Sequence, residues 1–276
     1  MRWKQFFTPV ESLDAPAAKK LVDESAVEEI DLVDVRQPKE YESGHIPGAK
    51  LIPLPDLKSR IGEIDSDKVT LVYCAVGGRS RAAAQMLAGA GFKKVINLAG
   101  GIKAWRSNKA VGSEDQGLDL FSGKETPEEA LVVAYSLEAG LKDFYVSMIP
   151  KVEDNQTRQL FEKLSSIEEK HQDRIFAEYI QITGSDLNRT EFEKQAVSPA
   201  MEGGLTTEEY LKLYPTDLDD AKEVVSLAMA IEAQALDLYQ RAAGQASSEQ
   251  RKEALMQIAN EELAHLEHLG NLFDEL

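Results

Sequence analysis

Cysteine is almost missing from this chain: one residue, Cys74, stands among 276. A lone thiol forms no internal disulfide and cannot supply a four-cysteine zinc or iron site, so its importance must lie in its reactivity. Long apolar runs are missing too. The longest stretch without a charged residue, 82–92, is 11 residues, well short of the roughly 18 needed to span a bilayer. No contact with a membrane is expected. The triplet Ala15-Pro16-Ala17 has the spacing of a signal-peptidase site, but Glu11 and Asp14 precede it instead of an apolar segment, so the expected location is the cytoplasm. With 43% hydrophobic and 29% charged residues, the composition excludes a disordered or collagenous chain.

Positive charge is what the second half lacks. Residues 1–110 hold 17 Lys+Arg against 14 Asp+Glu, and subtraction from the totals of 31 and 48 leaves 14 against 34 for residues 111–276. The halves therefore carry net charges of +3 and −20. A field of that sign repels nucleic acid and favours cations, and so uneven a distribution points to two different domains.

The segment SNKAVGSEDQGLDLFSGKETP (107–127) is rich in Gly, Ser and charge with no apolar period. It places a linker at 109–125, between domains at 1–108 and 126–276. Upstream, β-branched runs at 30–35, 69–73 and 94–97 alternate with helix-like stretches at 15–22 and 79–88, which predicts an α/β domain whose parallel sheet is flanked by helices. Downstream, helical periodicity runs through 128–148, 155–183, 219–243 and 248–273, which predicts an all-α four-helix bundle. The stretch 184–218 contains Pro199, Gly203, Gly204 and Pro215 and is long enough for a crossover connection between parallel neighbours.

The bundle contains a repeat. Ser136–Tyr145 aligns with Ala230–Tyr239 at an offset of 94, and the same offset carries Glu138 onto Glu232, Glu168 onto Glu262 and His171 onto His265. Residues three or seven apart share a helix face. Glu168 therefore pairs with His171, Glu262 with His265, Glu138 with Tyr145 and Glu232 with Tyr239, in each case on the apolar face. Four bare carboxylates in a bundle interior would be costly. Two divalent cations cancel their charge, giving a dinuclear site of two terminal Glu, two bridging Glu and two His, the ligand set of ferritin-like carboxylate bundles. Iron, manganese and zinc all accept such ligands. Tyr145 and Tyr239 are read as donors to the carboxylates or as core residues with satisfied hydroxyls, and His268 as a rim residue.

Cys74 lies at the end of an apolar strand and the mouth of a helix, in Cys74-Ala75-Val76-Gly77-Gly78-Arg79-Ser80. Gly77 and Gly78 let successive N–H groups turn inward into an anion-binding nest, which lowers the thiol pKa. Arg79 is positioned to orient an oxyanion such as a sulfonate. With Asp34-Val35-Arg36, the segment Glu40–Ala49 and Leu98-Ala99-Gly100-Gly101 leading to Trp105, these residues resemble the rhodanese family over residues 5 to 108. That resemblance implies a Cys74 persulfide, with Ala75 to Ser80 binding the substrate, a small-molecule sulfur donor and a thiol or cyanide-type acceptor. The four residues between Cys74 and Arg79 are one fewer than in the related dual-specificity phosphatases, which favours sulfur over phosphate. His45 is expected to hold its turn by a hydrogen bond.

The region from Thr126 to Leu276 resembles the rubrerythrin branch of the ferritin-like superfamily. This implies two iron ions held by Glu138, Glu168, His171, Glu232, Glu262 and His265, reaction with peroxide or oxygen, an external electron donor and a homodimer. Two departures stand out: the additional Glu that rubrerythrins carry three residues after the third-helix ligand is Ala235 here, and no rubredoxin-type cysteines are present. The alternatives are an iron carrier with sulfur supplied beside it, or a bundle that serves only to dimerise.

Overall fold

The computed structural model describes residues 9–121, 125–195 and 204–276. The chain divides into two compact units, 1–114 and 115–276.

The first unit is a five-stranded sheet with helices on both faces. In chain order it contains β1 (Glu11–Leu13), α1 (Ala15–Asp23), β2 (Ile30–Asp34), α2 (Pro38–Glu42), β3 (Lys50–Leu51), α3 (Leu57–Arg60), β4 (Val69–Tyr73), α4 (Gly78–Gly89) and β5 (Lys94–Leu98). The strand order is β1-β5-β4-β2-β3, and every pairing is parallel. The two-residue side-chain period sorts β4 between two cores. Leu71 and Tyr73 join Ile96, Leu98 and Trp105 on one face; Val72 and Cys74 join Ala83, Ala84 and Leu87 of α4 on the other. Burial on both faces is why β4 (VTLVY) reads as a run broken only by Thr70, whereas β2 (IDLVD) also buries Asp31 and Asp34. The edge strands β1 and β3 escape the sequence reading because two or three residues show no period.

The second unit contains α5 (Pro127–Met148), α6 (Asn155–Thr183), α7 (Arg189–Glu193), α8 (Thr207–Leu213), α9 (Ala221–Gly244) and α10 (Glu249–Glu275). The four long helices start at side-chain caps: Thr126 with Glu129 in a capping box, then Asp154, Asp220 and Ser248. Each cap satisfies N–H groups that a helix start leaves open. Helix α6 stops at Gly184, whose φ of 61° is left-handed, the usual C-terminal glycine device. Helix α5 packs against α6 and α9 against α10, with further contacts from α5 to α10 and from α6 to α9. Asp219, just before α9, accepts the N–H groups of Glu153 and Asp154 at 2.7 and 3.0 Å, which ties the α5–α6 turn to the entry of the second pair.

The crossover holds two short helices that its breakers concealed, α7 and α8. Phe192 of α7 is buried and packs on Tyr135, Phe176 and Tyr179. Pro199 and Gly203 lie outside the described residues. Within the stretch read as linker, Leu118 and Phe121 are buried, Phe121 meets Tyr239 edge-on at 6.3 Å, and the Gln116 carbonyl accepts from Arg241 Nη1 at 2.7 Å. Among the described residues no helix is long and apolar enough to cross a membrane.

Candidate functional sites

The thiol loop is a product of the β4–α4 junction. Gly77 precedes α4 at φ 94°, in the left-handed region that glycine enters freely, and the turn brings its N–H within 3.2 Å of Cys74 Sγ. The Ser80 hydroxyl lies 3.5 Å from the same sulfur. Burial by itself raises the Cys74 thiol pKa, but hydrogen bonds from the Ser80 hydroxyl and from the N–H groups of Ser80, Val76 and Gly77 outweigh it, leaving the thiol below its ordinary value. A thiolate is therefore favoured where donors converge. Val76, at the loop's tip, is 60% exposed, so the loop faces solvent although Cys74 is buried.

The loop is braced from behind by the turn after β5. Ile102 N–H donates to the Cys74 carbonyl at 2.8 Å and Lys103 N–H to that of Ala75 at 3.2 Å. Gly101, at φ 58°, permits this approach: a Cβ there would fall on the Cys74 carbonyl oxygen and within 2.6 Å of Ala75 C and Val76 N. The Leu98–Gly101 motif is thus a mould for the loop.

Two features were hidden from the sequence. Ser80 Oγ lies 2.7 Å from Asn97 Oδ1 as well as 3.5 Å from Cys74 Sγ, so its one hydroxyl proton is shared between the two acceptors, and Asn97 Nδ2 donates to Ser12 Oγ at 3.2 Å. This links the thiol to the sheet through three polar side chains. The signal was a buried asparagine in the apolar run 94–98, which composition alone does not distinguish from a strand end. Arg79, expected to orient an oxyanion, pairs with Glu40 in two bonds of 2.8 and 2.6 Å while its guanidinium also borders Cys74, both partners raising its pKa. The Arg79 bonds, opposed by burial and aided by the Gln37 N–H, hold the Glu40 carboxyl down at about 2. The pair is about one-third exposed, and the 39 residues separating the partners leave no local signal for it. His45 behaves as a structural residue: it is buried, stacked on Tyr41 at 3.6 Å, with Nδ1 3.0 Å from the Tyr41 carbonyl.

In the helical unit, Glu138 of α5 joins Glu168 and His171 of α6, and Glu232 of α9 joins Glu262 and His265 of α10. Within each group, atoms able to ligate a metal lie within 4.8 Å of one another. His171 Nδ1 is 2.8 Å from Glu168 and 3.5 Å from Glu138; His265 Nδ1 is 3.1 Å from Glu262 and 3.4 Å from Glu232. The two imidazoles stack at 3.7 Å with their planes 4° apart, so the groups meet face to face across the repeat's pseudo-symmetry. All four carboxylates are 2% exposed or less. Burial alone raises the Glu232 carboxyl pKa, but His265 beside it outweighs that and keeps it below the ordinary range. Burial opposes and Glu232 overcomes the same balance at His265, which is raised. Buried oxygen and imidazole donors in equal sets suit a pair of divalent first-row cations; the residues fit a metal site.

Tyr145 and Tyr239 are fully buried. Tyr145 packs on Phe144 and Phe161 at 5.5 and 6.2 Å, while Tyr239 takes Phe121. Ala235 is buried in α9, and its repeat mate is Leu141, also buried. Neither position offers a ligand atom.

A parallel sheet carrying a cysteine at a strand end, in a loop of converging N–H groups, defines a rhodanese-like domain, and the profile of that domain matches residues 14–108. The profile of the rubrerythrin family matches residues 129–273; the chain belongs to that family and carries the rhodanese-like domain ahead of it. Among its relatives, the uncharacterized protein YqhL of Bacillus subtilis is 50% identical over 74 residues, 27% of this chain and 59% of that protein. The rhodanese-like/PpiC domain-containing protein 12, chloroplastic, of Arabidopsis thaliana is 41% identical over 93 residues, 31% of this chain and 30% of that one. A sulfurtransferase of Allochromatium vinosum is 41% identical over 78 residues, 28% of this chain and 73% of that protein. The chain thus spans less than two thirds of the first two. Rhodanese-like and rubrerythrin domains in one chain support sulfur transfer beside a metal-binding centre.

Proposed function

We propose that residues 1–108 act as a thiosulfate:cyanide-type sulfurtransferase through a persulfide on Cys74, and that residues 126–276 hold two iron ions, with 109–125 joining them. The convergence of the Gly77 N–H and the Ser80 hydroxyl on Sγ carries the sulfur reading. The Cys74 thiolate attacks the outer sulfur of thiosulfate. The sulfur–sulfur bond breaks, sulfite leaves with the electron pair, and a persulfide remains on Cys74. Donors from Ala75 to Ser80 stabilise its anion. An external thiol or cyanide then attacks the terminal sulfur and releases the thiolate, since no second cysteine exists to resolve it. Cys74→Ser tests this: thiocyanate formation from thiosulfate and cyanide should fall to background, and retained activity would remove Cys74 from the mechanism.

In the helical unit, Glu138, Glu168 and His171 would hold one cation and Glu232, Glu262 and His265 the other, with charges that cancel for two divalent ions. Iron, when bound, supplies one-electron chemistry toward oxygen or peroxide. The chain's own residues bury the carboxylates and set each imidazole beside its glutamates, and the buried Tyr145 and Tyr239 would orient carboxylates through their hydroxyls. Electrons for turnover come from a separate reductase. Metal content after anaerobic ferrous loading tests the assignment: two irons per chain, lost in Glu168→Ala, against no stoichiometric metal.

A second reading, iron binding without peroxide chemistry, draws on the buried Ala235 at the position of the family's additional glutamate. Ferrous loading without peroxide consumption would select it. The protein's proposed setting is the cytoplasm, as a homodimer.

A further inference from the structure

A cavity of about 570 Å³ opens between α6 and α10. Its floor includes Glu168, His171, Glu232 and His265, so it reaches the carboxylate–histidine cluster from outside. Its size is out of proportion to oxygen or peroxide. A water molecule's share of the liquid is about 30 Å³, and a two-oxygen molecule needs little more. Hundreds of cubic ångströms is the scale of pockets that enclose organic ligands.

The walls have a definite chemistry. Leu164 and Ile167 on α6 and Leu269 and Leu272 on α10 supply the apolar part of the lining, on the same cavity wall as the cluster residues. Around it, α6 contributes Lys163, Lys170 and Arg174, while α10 contributes His268 and Glu275. Lys163, Ile167, Lys170 and Arg174 follow the spacing of one helix face. Arg174 is engaged by Glu261 at 2.5 Å. Neither Lys163 nor Lys170 has an ion-pair partner among the described residues. In a half of the chain with 14 cationic side chains against 34 acidic ones, this cavity gathers three of those cations beside three carboxylates, Glu168, Glu232 and Glu275, a local balance of sign in a strongly acidic half. Within a Debye length of about 8 Å, nearby charges outweigh the distant field. Every histidine of this half lines the same cavity.

We propose that this cavity binds an aliphatic carboxylate of medium chain length. Its carboxylate is held at the rim by Lys163 and Lys170, and its chain lies between the four aliphatic residues with its far end at the cluster. The assignment names the substrate class for the metal centre and rests, for that role only, on the metal reading above; the binding itself needs no metal. A rim orientation follows from charge, because in the metal-free protein the floor presents carboxylates that repel an anionic head group, while the rim presents free ammonium groups.

The test is calorimetric titration of the full chain, metal-free and iron-loaded, with decanoate, decanol and acetate, alongside metal content and mass by light scattering on the same samples. Decanoate should bind one per chain in both forms. Decanol and acetate should bind at least tenfold more weakly, and the decanoate affinity should fall in high salt. Lys163→Glu with Lys170→Glu, both on exposed positions, should abolish decanoate binding and leave iron content unchanged. Equal binding of decanol and decanoate would overturn the proposal, as would an indifferent double variant or a dimer that closes this face without taking up decanoate. Decanoate binding by a protein that takes up no iron would sink the metal reading and leave the cavity's ligand standing; iron uptake without decanoate binding would do the reverse.

Discussion

The thiol loop and the carboxylate cluster solve the same problem, keeping reactive polar groups inside a fold, by opposite means. At Cys74 the reactive atom is single and its surroundings are mostly backbone: N–H groups turned inward at a glycine, backed by carbonyls that the next turn holds in place. In the bundle the reactive atoms are many and all belong to side chains, related by a repeat that brings two copies of one helix pair together. A backbone site depends on the few residues that permit an unusual conformation. A side-chain site depends on identity at six positions and tolerates change elsewhere.

That contrast can be broken experimentally. The largest effect is expected from removing a carboxylate on either side of the repeat: Glu168→Ala and Glu262→Ala should each take iron from two per chain to one or none and leave thiocyanate formation intact. If only one of the two matters, the halves are not equivalent. Next comes Gly101→Ala. Its positive φ and the Cys74 carbonyl leave no room for a methyl group, and strain of that kind costs on the order of 1–3 kcal/mol. Sulfur transfer should drop more than tenfold, with a lower melting temperature for the first unit and no change in metal content. A smaller effect is expected at Ser80→Ala. Losing one hydrogen bond to a thiolate costs about 1.5 kcal/mol or more, roughly a tenfold loss in rate at neutral pH. Because the intact thiol lies below its ordinary value, activity rises through that lowered pKa as pH increases; the variant's rise should move to higher pH, and an unmoved profile would exclude Ser80 from stabilising the thiolate.

The smallest effect is expected at Glu40→Gln, which removes the competing carboxylate from an Arg79 guanidinium that already borders Cys74. The KM for thiosulfate should fall a few-fold, with kcat little changed, since a free guanidinium binds an oxyanion. In the intact protein the Glu40 carboxyl, held at about 2, is ionised throughout the neutral range. The pair's contribution is present above the ordinary carboxylate pKa and is lost as pH falls toward 2, so the variant's advantage in KM should be constant from about pH 6 to 8. An unchanged KM would mean that the salt bridge does not withhold Arg79 from substrate.

The sequence made the two cores and the four long helices legible because each displays its period over many residues. The repeat also exposed the six cluster residues: an offset of 94 that preserves two Glu, one His and one Tyr leaves little room for coincidence, and the helices bring the two groups together as that pattern requires. What stayed hidden has a common character. Asn97, Ser12 and Glu40 act through contacts between residues 17 to 85 positions apart, and their types are ordinary for a strand end or a helix surface. Helices α7 and α8 are five and seven residues long, too short for periodicity to outvote the prolines and glycines around them; it took the packing of Phe192 to disclose α7.

The pairing of α5 with α6 and of α9 with α10 also bears on how the helical unit folds. Each pair closes through local contacts, the kind that form fast, whereas joining the pairs spans the long connection from 184 to 220 and brings four carboxylates into one dry space. Each hairpin already sets two carboxylates against one histidine, so part of the electrostatic cost falls on closing the hairpins and the rest on docking them. Divalent cations therefore ease both steps, and a metal-starved chain would slow first at the closing of each hairpin and again where the two have yet to meet.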